Sequence, residues 1–206
     1  PSIVGFAPDV IHVHFTWNVA RALPFARLLD LPIVVTAHGS DILKSDSWES
    51  ALRHPEVKRV VCVARHLKAY IDAVPALSEK TALVYNCIDP LFLTPVTPPP
   101  GDVKMVCVAT LRRLKNHLWL LRALLLLRQR GVGFRCDLIG GPMIGEPEHA
   151  DELRRFVAEH GLSDAVVFRG RLSEAEVKDA LDAASILVLP STSEGLSVCV
   201  TEALAR

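Results

Sequence analysis

Two glutamates, Glu194 and Glu202, are separated by seven residues near the end of the sequence, the first within Pro190-Ser191-Thr192-Ser193-Glu194-Gly195-Leu196-Ser197. Glu194 falls in a loop after an apolar run, and Glu202 about one turn into a following helix. Carboxylates so placed can accept hydrogen bonds from the vicinal hydroxyls of a ribose or a hexose. Between them, Gly195, Leu196 and Ser197 offer backbone N–H groups at a helix start, which suit a phosphate. The plainer alternative is acidic residues that merely complement a helix dipole. A second constellation, Thr110-Leu111-Arg112-Arg113-Leu114-Lys115-Asn116-His117, packs three cations at a strand-to-helix turn. They repel one another unless an anion binds there, and guanidinium plus ammonium matches a pyrophosphate. Three solvated cations at a helix start are the alternative.

Other residues invite weaker readings. His12 and His14 alternate along a strand, so both imidazoles point to one face, a geometry compatible with a metal; no third ligand cluster accompanies them. His14, at the strand tip, can instead line a cleft. Trp17, just beyond the first strand, reads as a packing residue ahead of a stacking surface for a ligand. His54, His66, His149 and His160 read as surface residues, and Asp179 and Asp182 as a solvated helix face. The five cysteines stand far apart with no Cys-x-x-Cys pair, which points to a reducing compartment.

The elements that must position these groups alternate. β-Branched runs over 10–15, 33–37, 59–63, 82–85, 103–109, 134–139, 165–169 and 186–189 read as buried strands. Helical patterns fall at 18–29, 46–53, 66–74, 116–130, 149–160 and 174–184. Strands buried on both faces and separated by helices imply βαβ units and parallel sheets. Leu114, Leu118, Leu121 and Leu125 form a core-facing stripe closed by Gly131, and Ser173 with Glu176 fits a capping box. Pro98-Pro99-Pro100 can join neither a helix nor a central strand. The expected organisation is therefore a Rossmann-like domain over 1–94, a Pro-rich linker over 95–101 and a second Rossmann-like domain over 102–206. In open parallel sheets ligands bind at the carboxyl ends of strands, which is where both constellations lie.

Lys plus Arg equals Asp plus Glu at 23 each among 206 residues, so the formal charge is zero and a nucleic-acid protein is disfavoured. Half the residues are hydrophobic, which excludes disorder. The greasiest stretch, 118–127, is too short to span a bilayer and is interrupted by Arg122. About four strands per half fall short of a full doubly wound sheet, and the sequence opens without Met. Two partial domains are expected.

The Glu-x7-Glu element, the basic turn ahead of Lys115-Asn116-His117, Gly140-Gly141 and Phe168-Arg169-Gly170-Arg171 together resemble the GT-B-fold glycosyltransferases of family 4. In the first half, Asp9-Val10-Ile11-His12-Val13-His14, Val35-Thr36-Ala37-His38-Gly39-Ser40-Asp41 and Asn86-Cys87-Ile88-Asp89 resemble the family's strand, His loop and Asn-Gly-Val-Asp turn. The resemblance implies two Rossmann-like parallel-sheet domains and a retaining transferase. Its donor is a nucleotide diphosphate sugar and its acceptor a glycan or a lipid-linked molecule. Under it, Arg112 and Lys115 hold the diphosphate, and Glu202 binds the ribose. Backbone at Gly140, Gly195, Leu196 and Ser197 joins the donor site, and that around Gly170 and Arg171 lines the base. Glu194 and His38 act beside the transferred sugar, with His14 and Gly39 on the acceptor side. No Asp-x-Asp occurs, so cations replace a metal and no cofactor is expected. A cytoplasmic location with peripheral contact at the inner membrane face follows from the same resemblance. Three departures stand out: Ala109-Thr110 replaces Gly-Arg or Gly-Ser, Cys87 replaces a glycine that can need positive φ, and Ala64 replaces a helix-start Ser. Rival readings are a nucleotide-sugar-binding fragment without turnover, or an epimerase or phosphorylase of the same architecture.

Overall fold

The computed structural model describes residues 3–96 and 103–206. The chain divides into two compact units, one holding the chain to Asn86 together with Ser193–Leu196, the other Cys87–Thr192 together with Ser197–Arg206.

In the first unit, helix α1 (Ile3–Phe6) precedes strand β1 (Ile11–His14), a 3-10 turn (Thr16–Asn18) and α2 (Val19–Leu29). Then come β2 (Ile33–Ala37), α3 (Ser40–Leu43), α4 (Trp48–Leu52), β3 (Val57–Cys62), α5 (Arg65–Asp72), α6 (Pro75–Ser78) and β4 (Thr81–Leu83). The strands pair in parallel in the order β1-β2-β3-β4. Each crossover advances one strand in the same direction, and right-handed connections then carry the helices to one face. That face is the core, where Val13, Val35, Val60 and Cys62 meet Leu23, Leu52, Leu67 and Ile71. Successive side chains alternate across a strand, so His12, His14 and Thr36 occupy the opposite face.

The second unit holds β5 (Lys104–Val108), α7 (His117–Gln129), β6 (Arg135–Ile139), α8 (Pro147–Glu159), β7 (Val166–Gly170), α9 (Glu174–Asp182), β8 (Ile186–Leu187) and α10 (Val198–Leu204). Its parallel order is β7-β6-β5-β8, so the chain progresses outward from β5 and then returns to pair on its other side. The reversal places a topological switch point between β5 and β8, where open α/β sheets bind ligands. It also splits the core. Leu121, Leu124, Ala150 and Leu153 cover one face against Cys107, Cys136 and Leu138. Leu181 and Phe92 cover the other against Val106 and Ile139.

All eight expected strands are present, shifted or trimmed at their ends, as are the six expected helices. The short α3 and α6 escape a periodicity reading because one turn carries no period. The division falls at Asn86/Cys87, ahead of the expected boundary at 94. Phe92, 1% exposed in the 3-10 turn Pro90–Leu93, packs into the second core, and its burial contributes about 2 kcal/mol. Most of the expected linker lies outside the described residues. On α7 the fully buried face is Leu120, Leu121 and Leu124, while Leu118 and Leu125 are only partly covered. Gly131, at φ +72°, ends that helix, and the Ser173–Glu176 capping box is formed in both directions.

Candidate functional site

The first unit builds one cluster around a buried carboxylate. Asp41, fully buried, accepts hydrogen bonds from the backbone N–H groups of Thr16 at 2.9 Å, His38 at 3.0 Å and Gly39 at 3.0 Å. Its own carbonyl accepts from the Thr16 hydroxyl at 3.1 Å. One side chain thus ties the loop after β1 to the loop after β2 and fixes the backbone that carries His38. His38 Nε2 lies 2.9 Å from His14 Nδ1. Burial pushes the His38 pKa below the ordinary imidazole value, with His14 and His12 adding to the shift and Asp41 opposing it. The shift favours the neutral imidazole of His38. His12 is engaged with the Thr36 hydroxyl at 2.8 Å. Among the described residues no group of three His, Cys, Asp or Glu side chains has metal-ligating geometry.

Gly39 meets Gly195 in the same unit. A Cβ on Gly39, at φ +115°, would lie 2.7 Å from the Gly195 nitrogen, and one on Gly195 would lie 2.0 Å from the His38 carbonyl oxygen. Only glycine at both positions permits this backbone approach. Leu196 packs against the first core and its carbonyl accepts from Asn86 Nδ2 at 3.3 Å. Glu194 belongs to this unit as well.

The second unit gathers its residues on the loops flanking the switch point. Arg112 is extended (φ −142°, ψ 155°), and its Nε is buried without a hydrogen-bond partner among the described residues. Ser191 Oγ, on the loop after β8, is in the same condition. Buried polar groups are rarely left unsatisfied, so each of these two calls for a partner beyond the described side chains. The loops are clipped together: the Thr192 N–H and hydroxyl donate to the Leu114 carbonyl at 3.0 and 3.3 Å. Behind Arg112, the Arg113 backbone N–H donates to Glu146 at 2.8 Å and its guanidinium lies 3.2 Å from Glu152, which holds His149 Nδ1 at 3.0 Å. Arg113 is therefore committed to carboxylates, which corrects the expectation of three mutually repelling cations. Lys115 lies one helical turn on, within the 3-10 segment Arg113–Lys115.

Gly140, at φ +143°, would place a Cβ 2.0 Å from the Ala109 carbonyl oxygen, so its backbone lies hard against the start of the basic loop. Gly170, at φ +70°, has open space where a Cβ would lie, and its carbonyl accepts from the Gly140 N–H at 2.8 Å. The Arg171 side chain packs against Gly141. Ser197 precedes α10 with an extended backbone, and its hydroxyl meets Cys199 Sγ at 3.1 Å. Glu202 sits on α10, its pKa raised by burial and then by the charge of Glu174. A carboxylate so placed gains from hydroxyl donors.

Several expectations need correcting. His149 is 4% exposed and braces the basic loop through Glu152, whereas it read as a surface residue. Asp182 is held by Arg206 and Lys178 instead of being a solvated charge. Cys87 takes no positive φ, so its turn needs no glycine. Ala64 does precede a helix, α5, and caps it with no side chain. Sequence reasoning passed over Asp41, Glu152 and Thr192 as contributors; a buried Asp two residues past a strand-end Gly was the available signal for the first.

A family model described as Glycosyl transferases group 1 matches residues 102–206, and one described as Glycosyltransferase Family 4 matches residues 3–91. The putative glycosyltransferase EpsF of Bacillus subtilis is 37% identical over 225 residues, covering 96% of this chain and 55% of that protein. The amylovoran biosynthesis glycosyltransferase AmsK of Erwinia amylovora is 27% identical, covering 100% of this chain and 54% of its own length. The chain spans about half the length of the curated relatives it matches. Among solved structures, Anabaena Alr3699/HepE in complex with UDP and glucose superposes with a TM-score of 0.78 at 18% identity, covering 96% of this chain and 57% of that one. Sucrose-phosphate synthase from Thermosynechococcus elongatus gives 0.83 at 17%, covering 98% and 55%. These likenesses bear out the fold expectation of two Rossmann-like parallel-sheet regions. With its second half matched throughout by the group 1 model and its first half by the family 4 model, the chain belongs to the group 1 glycosyl transferases.

Proposed function

We propose that the chain forms part of a retaining glycosyltransferase that moves a sugar from a nucleotide diphosphate sugar to a glycan or lipid-linked acceptor. The observation that carries the donor site is the pair of buried, unpartnered groups, Arg112 Nε and Ser191 Oγ, on the two loops at the switch point. Arg112 and Lys115 meet the diphosphate and offset the charge that develops as it leaves, without a metal or other cofactor. Glu202, its carboxyl raised by burial, accepts the ribose hydroxyls. Backbone at Gly140, Gly195, Leu196 and Ser197 completes the donor contacts, and that at Gly170 and Arg171 lines the base. Glu194 accepts hydroxyls of the donor sugar. His38, neutral and held by Asp41 and His14, accepts a hydrogen bond beside the transferred sugar; His14 and Gly39 belong to the acceptor side.

The nucleotide-sugar reading is supported by the structural neighbour Anabaena Alr3699/HepE, solved in complex with UDP and glucose and with UDP-glucose. The proposed location is cytoplasmic, with peripheral contact at a membrane face; among the described residues no helix is long and apolar enough to cross a membrane.

The test is a panel of nucleotide sugars and saccharide acceptors, with product followed by proton NMR. Acceptor-dependent release of nucleoside diphosphate, with the donor's anomeric configuration kept and activity unchanged by a chelator, is the expected outcome. An inverted anomer, or full turnover in His38→Ala, contradicts the assignment.

A further inference from the structure

Five aromatic rings form one continuous run of contacts in the first unit, two of the four pairs stacked and two tilted. Centroids lie 4.6 Å apart for His12 and His14, 5.1 Å for His14 and His38, 4.5 Å for His38 and Phe15, and 4.8 Å for Phe15 and Trp17. The last pair is parallel to within 5°. The inner end is anchored by the hydrogen bonds of His12 to Thr36 and of His14 to His38. The outer end is open, since Trp17 remains 48% exposed although one face rests on Phe15.

The backbone is bent to build this run of rings. Phe15 takes φ +66° and ψ 134°, a conformation suited to glycine and disfavoured for a bulky side chain. The strained residue is held from both sides: its N–H donates to the Thr36 carbonyl at 3.0 Å and its carbonyl accepts from the Asn18 N–H at 3.1 Å. Packing alone does not call for such a device. Trp48 in the same unit, 8% exposed, shows how this fold buries an indole. The strained Phe15 sets its ring parallel to the indole of Trp17, which stays half exposed at the surface.

We propose that Trp17, backed by Phe15, is the platform on which a pyranose ring of the acceptor stacks. A hexopyranose has an apolar face of C–H groups and a rim of hydroxyls. An indole supplies a large, rigid apolar plane for the first, and a few polar groups at its edge orient the second. Asn18 and Arg21, polar and at the surface, follow Trp17 within about one turn: Asn18 Nδ2 donates to the His14 carbonyl at 2.8 Å and Arg21 donates to Asn18 Oδ1 at 3.5 Å. The run of rings places Trp17 two ring spacings from His38, with its free face turned away from Phe15. The inference rests on the proposed function for identifying the bound sugar as acceptor; the platform itself stands on the ring geometry.

The test titrates the 15N-labelled chain with cellobiose, maltotriose and a galactobiose, and separately with UDP. The Trp17 indole N–H is assigned by its loss in Trp17→Phe. At least one saccharide should move the Trp17 signal and leave those of Trp48 and Trp119 in place. Trp17→Ala should weaken saccharide binding about tenfold or more, Trp17→Phe by less, and neither should alter UDP binding. If no saccharide moves the Trp17 signal, or Trp17→Ala binds as tightly as the parent, the platform is refuted. Saccharide binding at Trp17 in a chain that fails to bind UDP would sink the donor reading and leave the platform standing.

Discussion

Glycines and histidines set the narrowest tolerances. At Gly140 a methyl group would meet the Ala109 carbonyl at 2.0 Å with the backbone at φ +143°, so strain and steric overlap act together. Gly140→Ala should destabilise the second unit by about 3 kcal/mol, read as a lowered urea midpoint at unchanged slope. His117, fully buried at the head of α7, has its pKa pushed down to about 4 by burial, helped by His149 and Lys115. The folded state then binds fewer protons than the unfolded one between pH 6.5 and 4. Stability contributed by the neutral ring is complete above pH 6.5 and is lost as pH falls through that window, by about 3 kcal/mol. His117→Leu should flatten the pH dependence of the unfolding midpoint, and an unchanged slope would show another group responsible. Neither the burial of His117 nor that of His149 was legible in the sequence. A histidine announces no side, and its burial is decided by helix packing that composition does not encode.

Strands and longer helices were readable because β-branched runs and a helical period report burial directly. Their ends were less so, as pairing stops where a neighbour stops; β8 pairs only through Ile186 and Leu187 although the apolar run continues to Leu189. Helix α9 shows a local signal that held: Ser173 Oγ accepts from the Glu176 N–H while Glu176 reaches back to the Ser173 N–H at 2.8 Å. Ser173→Ala should cost about 1 kcal/mol, measured by chemical denaturation, whereas Lys178, further along the same helix, is outside the cap. The strand-end loops carry the candidate site, and their sequence disclosed the residue types without the partners. Arg112 and Arg113 were indistinguishable by type; Glu146, on the Arg113 backbone N–H, and Glu152, on its guanidinium, both more than thirty positions downstream, set Arg113 apart.

At the scale of the molecule, a formal charge of zero conceals a local basic loop in the second unit and a carboxylate-held histidine cluster in the first. The two units have separate cores, so a nucleotide that binds the second should raise the unfolding temperature of that unit's transition in differential scanning calorimetry. The order β7-β6-β5-β8 is what brings the basic loop and the loop after β8 side by side, and no strand pattern in the sequence states that order. The central claim, that these loops take a nucleoside diphosphate, is tested most directly by titrating UDP into the chain in a calorimeter, beside Arg112→Ala and Glu202→Gln. The account predicts saturable binding by the parent and a loss of about tenfold in affinity in each variant; a parent that does not bind, or variants that bind as tightly as the parent, would contradict it.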